Sequence, residues 1–195
     1  STLTLFFQGE HSFTNSLLHG SFEVVSIATT TGFATDDFST WPLFLPFMLF
    51  FLSFMGGCAG STAGGMKVIR ILLLWRQGLR ELSRLIHPNA IILIKLRNRT
   101  VPDKVIESVW GFFAVYIVAF AFMMLALQAT GMDAVSSFSA VGACINNLGP
   151  GLENVSAHYS DINSAAKWIL CFAMLLGRLE IFTLLVLFTP MFWKH

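Results

Sequence analysis

From Ser108 to Met132 the chain runs for 25 residues without a charged side chain. A helix of that length, rising about 1.5 Å per residue, matches the hydrocarbon core of a bilayer, about 30 Å thick. The composition points the same way: of 195 residues, 55% are hydrophobic and 12% charged, the latter about half the usual share. A soluble domain of this size has too little interior to bury that much apolar surface. Nor is the chain polar enough to stay unfolded in water. Soluble enzymes and disordered tails are excluded, and the solvent is lipid.

The net charge of +1 hides a strong asymmetry. Nine of the twelve Lys and Arg residues lie between Lys67 and Lys104, where Glu81 and Asp103 are the only acids, a local net charge of +7. Residues 1–66 hold no Lys or Arg, only Glu10, Glu23, Asp36 and Asp37. The positive-inside rule puts 67–104 in the cytoplasm and the Asp36–Asp37 loop outside. The basic stretch would also suit a surface of anionic lipid. The three cysteines, Cys58, Cys144 and Cys171, stand in apolar surroundings and read as small buried hydrophobes rather than a disulfide or metal framework. The opening Ser1–Phe7 reads as the end of a truncated helix.

A second apolar run, Leu43–Met66, follows Trp41-Pro42 and would span the membrane if its second half were not Gly56-Gly-Cys-Ala-Gly-Ser-Thr-Ala-Gly-Gly65, with five glycines in ten residues. Each glycine costs a helix about 1 kcal/mol. A broken helix at membrane depth survives only where protein buries it or it lines a wet cavity. Met66–Ile86 resumes as a helix carrying Lys67, Arg70, Arg76, Arg80 and Arg84, and His87–Lys104 is a basic connector. Asn163–Trp193 is a further apolar stretch, interrupted by Arg178 and Glu180 and closed by Pro190, Trp193, Lys194 and His195.

Two apolar segments are too short to span. His11–Ala28 leads into Thr29-Thr-Thr-Gly-Phe33, and Met132–Cys144 leads into Ile145-Asn-Asn-Leu-Gly-Pro-Gly151. Each fits a re-entrant half-helix followed by a non-helical return. The two halves of the chain thus repeat one plan of short helix, glycine-containing strip and span, as transporters and channels do. Phe22 stands ten residues before Gly32 and Phe138 eleven before Gly149, so the copies match with one residue inserted.

A cation crossing lipid exchanges its water for oxygen ligands, and main-chain carbonyls in an extended strip supply them without net charge. Thr29–Phe33 has that chemistry, with an aromatic expected to pack behind it; Asn146–Gly151 is a looser version. The bland reading of either is an outer loop. The glycine segment is no phosphate loop, because it lacks the Gly-Lys-Ser/Thr ending; close packing against a neighbouring helix is its plain alternative. Arg178, deep in an apolar stretch, needs a wet cavity or a partner. Glu23 suits either the support of strip amides or a plain structural role, and Asp36 and Asp37 suit an outer mouth. The five histidines (His11, His19, His87, His158, His195) fall in loops or interfacial segments.

Taken together, Thr29-Thr-Thr-Gly-Phe33, Gly56–Lys67, Asn146-Asn-Leu-Gly-Pro-Gly151 and Gly177-Arg-Leu-Glu180 resemble the membrane subunits of bacterial Trk potassium-uptake systems (TrkH type), in the Trk/Ktr/HKT superfamily. The resemblance implies an all-α polytopic membrane protein of helix–pore-helix–helix units around a central pore. It makes residues 1–86 a third repeat, 87–104 a cytoplasmic connector and 105–195 a fourth, the first two repeats belonging to another part of the protein. It implies a selectivity filter at Thr29, Thr30, Thr31, Gly32 and at Asn146, Asn147, Leu148, Gly149, with potassium held at Thr30, Thr31, Asn147 and Leu148. The fourth strip departs from Thr-x-Gly, so Asn146 and Asn147 compete for one place.

The resemblance further implies a gate made of Gly56, Gly57, Gly60, Ser61, Thr62, Gly64, Gly65 and Arg178. It implies a cytosolic partner that binds a nucleotide, a homodimer, no organic cofactor in this chain, no nucleic acid, and a multi-pass place in the bacterial inner membrane with the C-terminus cytoplasmic. Two rivals remain: a cation-coupled secondary transporter of another family, and an intramembrane serine protease using Ser61 of Gly60-Ser61, which needs a histidine on a neighbouring span.

Overall fold

A computed structural model describes residues 13–41, 44–58, 60–61, 64–88, 90, 92–96, 99–156 and 158–179. Among these are six α-helices: α1 Phe13–Ala28, α2 Leu45–Met55, α3 Val68–Ile86, α4 Asp103–Ala129, α5 Ala134–Ile145 and α6 Ser164–Arg178. A two-stranded hairpin, Lys95–Leu96 against Arg99–Thr100, lies in the basic connector. Among the described residues α4 alone is long and apolar enough to cross a membrane. Thr62, Glu180 and the interfacial cluster at the end of the chain lie outside the described residues.

The short helix α5 is the centre of the fold. From Ser139 to Ile145 every residue is buried. Ser, Ala, Gly and Cys make up most of that run, and small residues let neighbouring backbones approach closely. Helix α4 covers α5 with Tyr116, Met123 and Leu127, and α6 covers it with Ala166, Leu170, Ala173 and Leu176. Helix α2 reaches it with Phe50, whose ring leaves no room for a side chain on Gly142. Phe50, Phe54 and Phe120 all surround Phe138, with ring centroids 5.4–6.5 Å from it.

Helix α2 has 11 residues, about 16 Å of helix, half of what a span needs. It stops at Gly56, whose φ of +62° suits glycine. Helix α3 then packs against α4 through Leu73, Ile106 and Val109, with Ile94 of the connector in the same cluster. The Arg80 guanidinium, 8% exposed, donates to the Asp103 carboxylate at 2.7 Å. The Arg70 guanidinium sits 4.2 Å from the centre of the Phe112 ring. The connector is therefore folded onto the α3–α4 base. The span starts at Asp103 rather than Ser108, because that ion pair carries the helix N-terminus beyond the apolar run.

The short helix α5 is fixed at its start. Asp133 caps α5, its Oδ2 accepting the Ser136 amide at 2.9 Å while Oδ1 accepts from Asn154. The Ser136 amide is the main reason the Asp133 carboxyl titrates below its ordinary value, with the Ser136 hydroxyl next. A lowered folded-state value stabilises the fold above the unfolded value and is lost as pH falls through the lowered one. Asp133→Ala is expected to cost about 1 kcal/mol of stability at neutral pH, and Asp133→Asn far less. Thermal unfolding of the purified protein in detergent measures both.

Candidate functional site

Strip one leaves α1 through a C-terminal cap. The Thr29 amide donates to the Val25 carbonyl, Thr30 to Ile27, and Thr31 to Ser26 at 2.8 Å. This is the Schellman arrangement, in which the capping position takes left-handed φ. Thr30 occupies it, at +53°. Strip two repeats it bond for bond: Asn146 donates to Gly142, Asn147 to Cys144, and Leu148 to Ala143 at 2.8 Å. Asn147 takes the left-handed place, at +51°. The caps pair Thr29 with Asn146, Thr30 with Asn147, Thr31 with Leu148 and Gly32 with Gly149. Both glycines have positive φ, +78° and +106°.

Because both helices run unbroken into their caps, Phe22 corresponds to Ser139 and not to Phe138. No residue is inserted between helix and strip, so the aromatic match in the sequence is a coincidence of spacing.

The strips meet. A Cβ built on Gly32 would lie 1.9 Å from the Leu148 carbonyl oxygen, so only glycine fits there, on grounds of space as well as φ. The Leu148 side chain is buried with Ile27, Phe38, Trp41, Phe50 and Leu152, while its carbonyl oxygen lies against Gly32. Among the described residues no hydrogen bond is donated to the main-chain carbonyls of Thr30, Thr31, Asn147 or Leu148. Carbonyls one step beyond are occupied: the Ser26 hydroxyl donates to Phe33 and the Tyr159 hydroxyl to Gly149. Phe33 does not pack behind strip one. It is 72% exposed.

Asn146 and Asn147 divide their tasks. The Asn146 side chain is fully buried; its amide donates to Ser53 Oγ of α2 and its carbonyl oxygen accepts from Tyr116 of α4. It ties three elements together at the root of strip two. Sequence reasoning missed Tyr116 and Ser53 in this role, although a tyrosine inside an apolar span must find a partner for its hydroxyl. The Asn147 amide nitrogen is buried with no partner among the described residues. It sits where a Cβ on Gly177 would intrude, at 2.6 Å. Asn147 and Arg178 line one open cavity of about 460 Å³, together with Cys171, Met174 and Leu175.

The described residues of the glycine segment form a loop with a pinched neck. The Met66 amide donates to the Phe54 carbonyl and the Val68 amide to Gly57. A Cβ on Gly56 would lie 2.3 Å from the Gly64 oxygen, and one on Gly65 would lie 2.8 Å from the Ser53 oxygen. At the far end the Ser61 amide donates to Cys58 and the Lys67 amine to the Ser61 carbonyl, while Gly60 faces open space. Gly64 touches both strips. Its amide donates to Thr30 Oγ1 at 3.1 Å, and a Cβ on it would lie 1.8 Å from the Asn146 oxygen.

The outer acids are engaged in structure. Buried Glu23 accepts the Thr35 amide at 2.7 Å and the Asp36 amide at 3.4 Å, which anchors the return of strip one to α1. Asp36 accepts from the Trp41 indole, and Asp37 caps the 3₁₀ turn Phe38–Thr40. Both acids line a small cavity of about 190 Å³ that also includes Pro150 of strip two. His19 bonds Thr35, and His158 bonds Ser160.

Residues 9–195 match the family model described as TrkH, cation transport protein. The chain is 60% identical over 173 residues, 89% of its length, to the Trk system potassium uptake protein TrkH of Vibrio parahaemolyticus. It is 56% identical over its whole length to the proteins of that name from Halomonas elongata and Escherichia coli K12. It spans about 40% of the length of these two relatives. The crystal structure of the potassium transporter TrkH from Vibrio parahaemolyticus superposes with a TM-score of 0.92 at 55% identity, over 99% of this chain and 42% of that one. A mostly helical chain with one clear span, two capped strips in contact and a match along nearly all its length belongs to the TrkH family of cation transport membrane proteins.

Proposed function

We propose that this chain supplies two of the four filter strips of a potassium-conducting pore, its third and fourth repeats, at residues 1–86 and 105–195, joined by the connector 87–104. One observation carries the reading. Two strips with the same capped backbone meet at Gly32 and Leu148, and they present main-chain carbonyls to which nothing among the described residues donates. In an apolar chain an unpaired carbonyl is costly, and a dehydrated cation is the ligand that relieves it. Potassium is held at the carbonyls of Thr30, Thr31, Asn147 and Leu148. Relatives named as potassium uptake proteins support potassium as the ion. Membership in a cation-transport family removes the protease reading of Ser61.

The gate is the Gly56–Gly65 loop, seated beneath both strips, with Arg178 in the cavity below Asn147. A cation fixed at membrane depth opposes a permeant one. The basic face of α3 and the hairpin would meet a cytosolic partner that binds a nucleotide. The protein would work as a homodimer in the bacterial inner membrane.

Flux of rubidium against sodium through the full-length protein in liposomes tests the reading. The parent is expected to favour rubidium. Gly32→Ser, which drives a side chain into the Leu148 carbonyl, is expected to lose most of that preference. A well-folded Gly32→Ser protein with unchanged preference would sink the filter assignment. Arg178→Ala is expected to raise resting flux severalfold; normal expression with equal or lower resting flux would remove Arg178 from the barrier.

A further inference from the structure

We propose that the Thr30 hydroxyl is the catch that holds the glycine loop shut, so that filter and gate share one side chain. This rests on the reading of Thr29–Gly32 as a filter strip and names a residue that joins it to the loop. Thr30 contributes two groups. Its carbonyl lies on the strip, accepting no hydrogen bond among the described residues. Its hydroxyl oxygen accepts the Gly64 amide at 3.1 Å across 34 residues of chain.

The left-handed φ of Thr30 makes this possible. A threonine in that conformation is uncommon, and the cap of α1 requires it. The turn holds the side chain at the root of the strip, where the loop arrives. Gly64 is seated there by shape as well, because its Cα lies against the Asn146 main chain of strip two, too close for any side chain. The loop therefore rests on both strips at one residue. The rest of the loop is held at its neck by Phe54 and Gly57 and at its tip by Lys67. Those bonds do not touch a strip, whereas the Gly64 bond does, so lifting Gly64 off the filter means breaking the bond to Thr30.

The hydroxyl is also the only side-chain acceptor that the described residues offer the Gly64 amide. Removing it leaves a buried donor unpaired in the seated state, while the displaced loop regains a partner in water. That imbalance favours the open loop by roughly 5- to 10-fold. The hydroxyl oxygen that accepts from the loop lies beside the innermost carbonyls of the strip, so displacement of the loop frees it to face an entering cation.

Cys58 reports loop position, being exposed and within the loop. The experiment uses the full-length protein in inside-out membrane vesicles, with Cys58 as its only cysteine. It measures the rate of Cys58 modification by the cationic thiol reagent MTSET. Thr30→Val is expected to raise that rate roughly 5- to 10-fold. Thr30→Ser, which keeps the acceptor, is expected to keep the parent's labelling rate. Gly64→Ala, which wedges the loop off Asn146, is expected to raise the rate by an independent route.

Unchanged labelling in Thr30→Val while Gly64→Ala labels faster overturns the proposal. So does altered ion preference in Thr30→Val without faster labelling, since the hydroxyl then serves the ion and not the loop. Equal labelling in all variants overturns it too. Ion preference of the parent, measured in parallel, separates the two readings: faster labelling in Thr30→Val with no preference in the parent retains the catch and removes the filter.

Discussion

Main-chain carbonyls cannot be left without partners in an apolar environment, and the architecture follows from that. The chain breaks its helices at two corresponding places and leaves several carbonyls open there. Everything nearby reduces the freedom of those segments. Schellman caps close the preceding helices, Ser26 and Tyr159 occupy the next carbonyls outward, and Glu23 gathers the amides of the return. What remains open is a short row of oxygens in each strip. A row held that firmly has little freedom left to lose, which is what the proposed role as an ion-ligand set requires.

The strips need a rigid support, and α5 provides it. Its small residues let α2, α4 and α6 approach its axis closely, so strip two is set by three neighbours at once. Asn146 is the fastening between them, its amide on Ser53 and its oxygen on Tyr116. Buried polar side chains are tolerated when every hydrogen-bonding atom is used, and here the bonds fix where strip two begins. Leu148 continues the same support, its side chain in the core and its carbonyl against Gly32. Strip one has fewer neighbours in this chain, and Phe33 is accordingly exposed.

Much of this was legible beforehand. The two short helices, the break after Met55 and the long apolar helix follow from apolar run length and glycine spacing, both local properties. The glycines at 32 and 149 were legible for the same reason. The register of strip two was not, because Asn146 and Asn147 are equally plausible by composition and only the bonds to Gly142 and Cys144 separate them. The pairing of Phe22 with Phe138 was misleading, since sequence spacing alone cannot tell a coincidental aromatic from a true counterpart; the caps pair Phe22 with Ser139. The hairpin in the connector was invisible because two-residue strands leave no pattern.

The linear chain decided which segments enter lipid, where helices must fail and which residue types stand at the failures. These depend on transfer free energy and backbone sterics, acting over one or two turns. Only the tertiary structure decided that Gly32 faces Leu148, that Gly64 rests between Thr30 and Asn146, and that Asn147 shares a cavity with Arg178. Each of these joins residues tens of positions apart. Close approach of that kind is set by how helices pack around α5, which no local preference encodes.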